Sequence, residues 1–351
     1  MRGPDRTDLG RAARPERAGS VLPPVGIVVL NWNAAGETLG CLASLRAQDY
    51  PNAALIVIDN GSAPDDLAAL RAGLGDAALI ANPRNLGFAG GVNTGIARAL
   101  ADGAAYVWLV NNDARVAPDA LTRLVAAAEG DARLGLLSPV IRNLDRGDAP
   151  DFAGGLFAPA PLTFRMTANV AEGQAWQHAQ PDRIWLTGTA LLIRRAAVQR
   201  IGGFDAALFA YFEDNDYALR AAAAGFRNAV VPGAEVFHRS GDPSAAVPGK
   251  RPYFYYYMAR NQILLLRKHG GLRRNARALV WALRAQAREA RRWRAYPEVV
   301  RAIGAGIVDG LRGAGGAYAA ERRRVGVARG AVIGGLRCWS LATRPSGLRA
   351  R

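Results

Sequence analysis

The sequence predicts an α/β fold built on a mostly parallel, Rossmann-like sheet. Two short β-branched runs, VGIVVL from Val25 and LIVI from Leu55, end at polar residues, as strands buried on both faces do. Helical patterns alternate with such runs over residues 25–137, and this alternation is typical of right-handed parallel units. Ligands of such sheets bind at the carboxyl ends of the strands.

The predicted elements follow in a regular order. Between the first two strands, a helix over residues 37–47 places Leu39, Leu42 and Leu45 on one face. Next come strands at 77–80, 106–110 and 134–137, with helices at 89–100 and after Pro118. Residues 145–182 are rich in Gly, Pro and polar side chains and predict a long connection that covers a site. A returning strand at 185–194 and a helix at 217–224 follow.

Three regions are predicted along the chain. Residues 1–24 lack the continuous apolar stretch of a signal peptide, and their composition predicts disorder. Residues 25–248 form the catalytic domain, and residues 249–351 form a basic, helical C-terminal region. Because no segment is apolar for the roughly 18 residues that a membrane span needs, we expect any membrane contact to be peripheral.

The net charge of +16 is concentrated in the C-terminal region. From Lys250 onward there are 23 Lys and Arg against 4 Asp and Glu, whereas the remainder has 22 against 25. Such a basic block binds anionic lipid, binds nucleic acid or forms a solvated helical face. We favour lipid and expect no nucleic-acid partner, because the motif-bearing domain is nearly neutral. The only cysteines, Cys41 and Cys338, offer no disulfide framework and fit a reducing cytoplasm.

Four polar clusters lie where predicted strands end, and a parallel sheet would bring them to one crevice. They are Asn31-Trp32-Asn33, Asp59-Asn60-Gly61-Ser62, residues 82–95 and Asn111-Asn112-Asp113. The second and fourth clusters also read as ordinary turns. The glycines of residues 85–95 allow close approach of backbone to a phosphate, but they match neither the dinucleotide fingerprint nor the phosphate loop. Hydride transfer and ATP hydrolysis therefore lose support.

Acidic side chains and one histidine are the candidates for chemistry. Asp113 offers a hard oxygen ligand to Mg²⁺ or Mn²⁺, which would neutralise charge on a leaving diphosphate. Three carboxylates, those of Glu213, Asp214 and Asp216, lie close together in sequence before a predicted helix. Such crowding is typical of a site that contains a general base. The alternative, helix capping, explains only one of the three acids. A lone histidine such as His238 is more often structural than a metal ligand.

Seven motifs in order carry a family resemblance: VVLNWN, VIDNGS, NLGFAGGVNTG, WLVNNDA, LTGTALLIRR, GGFDAALFAYFEDNDYALRAA and VFHRSGDPS. Together they resemble family 2 glycosyltransferases of the GT-A fold, in particular the branch of bacterial rhamnosyltransferases that act on cell-surface polysaccharides. The resemblance covers residues 25–244 and extends weakly through YYYMARNQILLLRKHG.

The resemblance implies roles for individual residues. Asp214 stands at the position of the general base, and Glu213 would orient it or touch the acceptor. Asp113 and Asn111 stand at the DxD metal position, with Asn in place of the first Asp, and His238 would complete the metal site. The donor nucleotide sugar would contact Asn31, Asp59, Asn60, Arg84, Gly87, Asn93, Asn112, Gly188 and Thr189.

The implied reaction is an inverting transfer from a nucleoside-diphosphate sugar, with dTDP-rhamnose as a candidate, to a glycan or a lipid-linked acceptor. The resemblance places it in the cytoplasm, peripherally at the inner face of the membrane, with the basic C-terminal region on anionic lipid. Residues 253–257, Trp281 and Trp293 would then lie among lipid headgroups or, alternatively, pack the C-terminal helices onto the catalytic domain.

Two other classes of protein are the alternatives to a glycosyltransferase. A sugar-1-phosphate nucleotidyltransferase would carry a Gly-rich loop with Arg and Lys after the first strand, and Asn31-Trp-Asn-Ala-Ala is not such a loop. A basic nucleic-acid-binding protein is favoured by charge alone.

Overall fold

The computed structural model describes residues 22–146, 149–239 and 251–318. Most of the predicted disordered segment lies outside these ranges. Its last three residues, 22–24, are fixed by hydrogen bonds: Asn52 Nδ2 donates to the Leu22 carbonyl at 2.6 Å, and the hydroxyl of Tyr50 donates to the Pro23 carbonyl at 2.7 Å.

The described ranges contain twelve strands and eleven α-helices. The strands are β1 Val25–Asn31, β2 Ala53–Asp59, β3 Ala78–Ala81, β4 Tyr106–Asn111, β5 Ala114–Val116, β6 Leu134–Asn143, β7 Pro150–Phe152, β8 Gly154–Pro159, β9 Leu162–Thr167, β10 Ile184–Trp185, β11 Ala190–Arg194 and β12 Arg227–His238. The helices are α1 Ala35–Arg46, α2 Pro64–Gly73, α3 Gly87–Ala101, α4 Ala120–Gly130, α5 Val170–Ala179, α6 Arg195–Ile201, α7 Glu213–Ala223, α8 Pro252–Lys268, α9 Gly271–Arg274, α10 Ala276–Arg292 and α11 Pro297–Arg312.

The main sheet has the order β3-β2-β1-β4-β11-β6-β12-β5, and β7 pairs with β6. Strands β3, β2, β1 and β4 run parallel to one another, and so do β6 and β12. Strand β11, the predicted returning strand, is antiparallel to both β4 and β6. The predicted mostly parallel α/β sheet is confirmed.

Close packing of α3 on the sheet explains part of the glycine-rich motif. A Cβ atom at Gly95 would lie 2.3 Å from Cγ1 of Val28, and one at Gly91 would lie 2.5 Å from Cδ1 of Leu30. These two glycines let the helix approach β1, with Val28 fully buried beneath it. They support the sheet rather than lie open to a ligand.

Residues 145–182 differ from the predicted long connection. Strands β8, β9 and β10 form a second, three-stranded antiparallel sheet, and α5 packs beside it. Side chains around the small sheet pack on Trp185. The rings of Phe152 and Phe164 lie 5.4 and 6.1 Å from the Trp185 ring. A Cβ atom at Gly155 would lie 2.4 Å from that ring. One of the glycines that suggested a loop, Gly155, instead makes room for the indole, and Gly154 packs against Gly173 of α5.

The C-terminal helices α8 and α11 pack tightly at small residues. A Cβ atom at Gly306 would lie 2.4 Å from the carbonyl oxygen of Tyr256. Residues 255–257 are buried, whereas Trp281 on α10 is 41% exposed, so this part of the tyrosine run packs inside the protein. Over the ranges with described structure, none of the helices is both long and apolar enough to cross a bilayer.

Candidate active site

The predicted clusters do meet at one edge of the sheet. In the parallel registers, Asn31 lies beside Asp59 and Leu30 lies beside Asn111. The carboxyl ends of β1, β2 and β4 therefore form a common rim.

Buried hydrogen bonds organise the rim around Asn31. Its Nδ2 donates to Asp59 Oδ1 at 3.1 Å and to Asp66 Oδ2 at 2.9 Å, and its Oδ1 accepts from the hydroxyl of Thr38 at 2.7 Å. Asn112 Nδ2 donates to the same hydroxyl at 3.0 Å. Asn31 and Asp59 are almost fully buried, so they shape the floor of the rim, and their contact with a nucleotide stays a prediction. Sequence reasoning missed Thr38 and Asp66.

Asn60 holds the loop that precedes α3. Its Nδ2 donates to the Gly87 carbonyl at 3.1 Å, and its Oδ1 accepts from the backbone N–H of Leu86 at 3.1 Å. Gly87 adopts a φ of 77°, and a Cβ atom there would lie 2.4 Å from the carbonyl oxygen of Phe209. Arg84, in contrast, is exposed. Of the residues predicted to contact the donor in this loop, Arg84 has the side chain that a phosphate can reach.

Asn93 joins α3 to the segment before the catalytic acids. Its amide donates to the Phe204 carbonyl at 2.8 Å and accepts from the Phe204 N–H at 2.8 Å. The side chain is therefore used in an internal contact, and its predicted contact with the donor sugar is untested.

Strand pairing brings the predicted metal ligands together. His238 pairs with Ala114 across β12 and β5, which places its Nε2 3.1 Å from Asp113 Oδ1 and 3.4 Å from Asn111 Nδ2. Both ionisable side chains are partly exposed, Asp113 at 33% and His238 at 19%. Within the described ranges no group of three His, Cys, Asp or Glu side chains forms a closed site. Two ligands suit Mg²⁺ or Mn²⁺, because such ions take their remaining oxygens from phosphates and water.

Asp214, the predicted base, lies at the start of α7. Its Oδ2 accepts from the Gly188 N–H at 3.1 Å, and its Oδ1 accepts from the Asn215 N–H at 2.7 Å. Burial raises the pKa of Asp214, and these backbone donors oppose that rise. Thr189 connects to the metal end, since its carbonyl accepts from the Asn111 N–H at 2.8 Å. Through Gly188 and Thr189, the LTGT motif thus connects Asp214, the predicted base, to Asn111 at the predicted DxD position.

The three neighbouring acids have different surroundings. Glu213 is buried, and its Oε2 has no hydrogen-bond partner among the described residues; burial, then the nearby charge of Asp214, raises its pKa to about 8. Asp216 points the other way and contacts Arg220 at 2.8 Å, Lys268 at 2.9 Å and His269 at 2.8 Å. Although burial alone would raise the pKa of Asp216, these partners lower it to about 2. Asp216 therefore anchors α8, and two acids face the site.

The loop before Glu213 has an unusual backbone that the C-terminal region holds in place. Phe209, Tyr211 and Phe212 all have φ angles of 65–68°, which non-glycine residues rarely adopt. Asn261 Nδ2 lies 2.8 Å from each of three carbonyl oxygens in this loop, those of residues 208, 210 and 211. Arg260 donates to the carbonyl of residue 208 at 2.9 Å. The Arg-Asn pair in the motif YYYMARNQILLLRKHG was the only sequence signal for this role.

One large cleft contains the chemistry. It has a volume of about 900 Å³, and its walls include Glu213, Asp214, Thr189 and His238. From Asp214 it continues between the small sheet, at β9, and helices α8 and α10. A half-buried carboxylate, a close Asp-His pair and an adjoining groove are the parts that the predicted transfer of a sugar to a hydroxyl requires.

The fold and this site define the protein as a glycosyltransferase. More particularly, the chain belongs to glycosyl transferase family 2, whose model matches residues 26–201. That match ends before Asp214, the predicted base, whose surroundings are known from the structure.

The comparisons with known proteins agree with the predicted branch. The chain is 29% identical over 263 residues to the N-acetylglucosaminyl-diphospho-decaprenol L-rhamnosyltransferase of Mycobacterium tuberculosis, covering 68% of this chain and 84% of that protein. It is 26% identical over 271 residues to a dTDP-rhamnosyl transferase of Shigella flexneri, covering 73% and 84%. The predicted resemblance to rhamnosyltransferases is confirmed.

A solved structure agrees with the predicted GT-A fold. A mannosyltransferase from Pyrobaculum calidifontis, solved with GDP-mannose and Mn²⁺, superposes with a TM-score of 0.54 at 18% identity, covering 83% of this chain and 88% of that one. This likeness concerns the fold.

Proposed function

We propose that the protein transfers a sugar, with inversion, from a nucleoside-diphosphate sugar to a hydroxyl of a glycan or lipid-linked acceptor in cell-surface polysaccharide synthesis. The observation that carries this proposal is Asp214, a carboxylate oriented by two backbone donors in a cleft that also contains His238. The names of the two relatives support L-rhamnose as the sugar and, for one of them, dTDP as the nucleotide.

Asp214 would remove the proton from the acceptor hydroxyl as its oxygen attacks the anomeric carbon. The new glycosidic bond forms on the face opposite the diphosphate, the bond to the diphosphate breaks, and the proton remains on Asp214. Burial and the nearby charge of Asp214 raise the pKa of Glu213, which would favour its protonated form and so leave one negative charge rather than two beside the acceptor. Asp113 and His238, with Asn111, would hold Mg²⁺ or Mn²⁺, which when bound neutralises charge on the departing diphosphate.

The donor side would lie along the rim formed by β1, β2 and β4. There Arg84 would approach the diphosphate, and Asp59 and Asn60 would shape the pocket for the base and ribose. Gly188 and Thr189 would lie next to the sugar, because Gly188 donates directly to Asp214.

A ligand panel tests the proposal. UDP, dTDP and GDP, each with Mn²⁺ or with EDTA, should raise the melting temperature if they bind the native state. We expect the largest shift with dTDP and Mn²⁺, and its loss in Asp113→Asn. Asp214→Asn should keep the shift and lose turnover. Thermal stabilisation by RNA without any response to nucleotide would instead support the basic binding protein.

We also propose that the protein associates peripherally with anionic membrane at the cytoplasmic face. Helix α10 presents Arg277, Arg284, Arg288, Arg291 and Arg292 as exposed side chains, and each basic residue near an anionic surface contributes about 1 kcal/mol. Sedimentation with vesicles tests this, with binding expected to phosphatidylglycerol and not to phosphatidylcholine. Equal sedimentation with both lipids would contradict it.

A further inference from the structure

A second cavity lies beside α8, outside the active-site cleft, and it has no part in the proposed transfer. Its volume is about 520 Å³, which is within the range of small-molecule sites. Its walls come from the segment at 205–208, the C-terminal end of α8, helix α9 and the segment at 313–315.

Helix α8 separates this cavity from the cleft. Leu264 and Lys268, one turn apart, line the cavity, whereas Met258 and Gln262 line the cleft. Leu265 lies between these two faces of the helix and lines both. A molecule in the cavity would therefore bind behind the active site without entering it.

Basic side chains outnumber acidic ones in the lining of the cavity. Arg267, Lys268 and Arg273 line it together with Asp205. Lys268 Nζ lies 2.6 Å from Asp205 Oδ2, so these two charges compensate each other. Neither Arg267 nor Arg273 forms an ion pair with any residue that the structure describes; Arg267 donates to the carbonyl of Leu311 at 2.9 Å. Two guanidinium groups thus remain for an anion, and phosphate is the anion that their geometry suits.

Apolar side chains line the cavity beside these arginines. Leu208 and Leu265 are 3% and 1% exposed, and Leu264 and Leu272 are partly buried. A ligand that fills the cavity would cover apolar surface here while its charged group meets the arginines. The lining therefore suits an organic phosphate better than inorganic phosphate.

The cavity also borders the loop that precedes Glu213. Leu208 lines the cavity, and its carbonyl accepts from Asn261 Nδ2 at 2.8 Å. The backbone N–H of Gly316 donates to the carbonyl of Ala207 at 2.7 Å, which fixes the other wall to the same segment. A ligand bound to the native cavity would stabilise this segment by mass action.

We propose that this cavity is a regulatory site for a phosphate-bearing ligand with an apolar part, either a free organic phosphate or the phosphate of a phospholipid. Arg267 and Arg273 bind the phosphate, and the leucines contact the apolar part. Occupancy stabilises the segment at 205–208 and, through it, the loop before Glu213. The inference does not rest on the proposed transfer, because it is tested without donor or acceptor.

A matched pair of variants on α9 tests the inference. Arg273 and Arg274 are neighbours and both exposed, but Arg273 lines the cavity and Arg274 does not. Binding of phenyl phosphate is measured by calorimetry in EDTA, with inorganic phosphate as the probe that lacks an apolar part. Asp113→Asn shows whether the probe binds instead at the predicted metal position.

We expect phenyl phosphate to bind at least about tenfold more tightly than inorganic phosphate. Arg273→Ala and Arg267→Gln should each weaken it about tenfold, which is the effect of losing one good contact. Arg274→Ala and Asp113→Asn should change it less than about twofold. Saturating phenyl phosphate should slow amide hydrogen exchange of residues 205–212 at least about threefold. Unchanged melting temperatures without ligand show that the variants are folded.

Vesicles of phosphatidylglycerol distinguish the two sources of phosphate. Weaker vesicle binding in Arg273→Ala than in Arg274→Ala would assign the site to a phospholipid. Equal vesicle binding in both, with phenyl phosphate weakened in Arg273→Ala alone, would assign it to a free organic phosphate.

Four outcomes would overturn the inference. They are equal affinity for the two phosphates, equal losses in Arg273→Ala and Arg274→Ala, loss of binding in Asp113→Asn, and unchanged hydrogen exchange of residues 205–212. The second would assign binding to general charge, and the third would assign it to the active site.

Discussion

Replacement of Asn261 by alanine should release the loop of residues 208–212, called the catalytic loop because it precedes the predicted base, from its unusual backbone conformation. The Nδ2 atom carries two hydrogens and lies 2.8 Å from three carbonyl oxygens, and the side chain is fully buried. Each buried carbonyl left without a donor costs about 1–3 kcal/mol. With two hydrogens lost, we expect the free energy of unfolding to fall by about 2–6 kcal/mol. The loop should then leave its left-handed conformations, which are intrinsically unfavourable.

Asn275 provides a matched control in the same region of the chain. It is also fully buried, and its Nδ2 donates to the carbonyls of Leu266, His269 and Gly271 at 3.0, 3.0 and 3.2 Å. None of these carbonyls belongs to the catalytic loop. Asn275→Ala should therefore lose similar stability while leaving Asp214 in position.

The assay combines urea unfolding with turnover at a temperature where both variants are folded. We expect similar falls in stability, but a decrease in kcat of at least about tenfold, or 1.4 kcal/mol of activation free energy, only in Asn261→Ala. The thermal shift with dTDP and Mn²⁺ should survive in both. Equal kcat values in the two variants would refute a positioning role for Asn261.

Further predictions concern the acids. Because the pKa of Glu213 is raised to about 8 in the folded protein from 4.5, the folded state holds a proton that the unfolded chain releases. Stability should therefore fall as pH rises from about 5 to 8, and urea titrations of Glu213→Gln should show a smaller slope, the rest coming from Asp214, whose pKa is also raised. Asp216→Asn removes the buried carboxylate that Arg220, Lys268 and His269 share, with Lys268 keeping Asp205 at 2.6 Å, and should cost about 3–5 kcal/mol, measured by thermal unfolding; a loss below about 1 kcal/mol would argue against the anchor. Because the pKa of Asp216 is lowered to about 2, its contribution to stability should be lost only as pH falls below about 4 toward 2. Burial raises the pKa of Asp214, so kcat should rise with pH through a value above the usual aspartate range, and an acid limb at the ordinary aspartate pKa would contradict its burial in the working enzyme.

Apolar strands made much of the fold predictable. β1, β2 and β4 are short β-branched or aromatic runs that end in polar residues, and parallel pairing then forces those ends together. The small sheet was missed because Gly155 accommodates Trp185 and Gly154 packs against Gly173, which are contacts between residues far apart in sequence. Local pattern carries no information about such partners.

The acids show the same limit at the site itself. Glu213, Asp214 and Asp216 look alike in sequence, and what separates them is α8, which brings Lys268 and His269 to Asp216 alone. The distance of His238 from Asp113 likewise depends on pairing of β12 with β5, which no local motif encodes. The family resemblance predicted that His238 is a metal ligand, whereas the contacts of Asn261 with the catalytic loop could be found only in the structure.

The hydrogen bonds from α8 to the catalytic loop also determine where related enzymes can be recombined. A chimera that exchanges helices α8–α11 at a junction at residue 248 would take Asn261 and Lys268 from a different parent than the catalytic loop and Asp216, which they contact. A junction near residue 203, after α6, keeps both sides of these contacts within one parent. Asp214 and the C-terminal helices therefore form one unit for recombination, and residues 203–318 are best exchanged together.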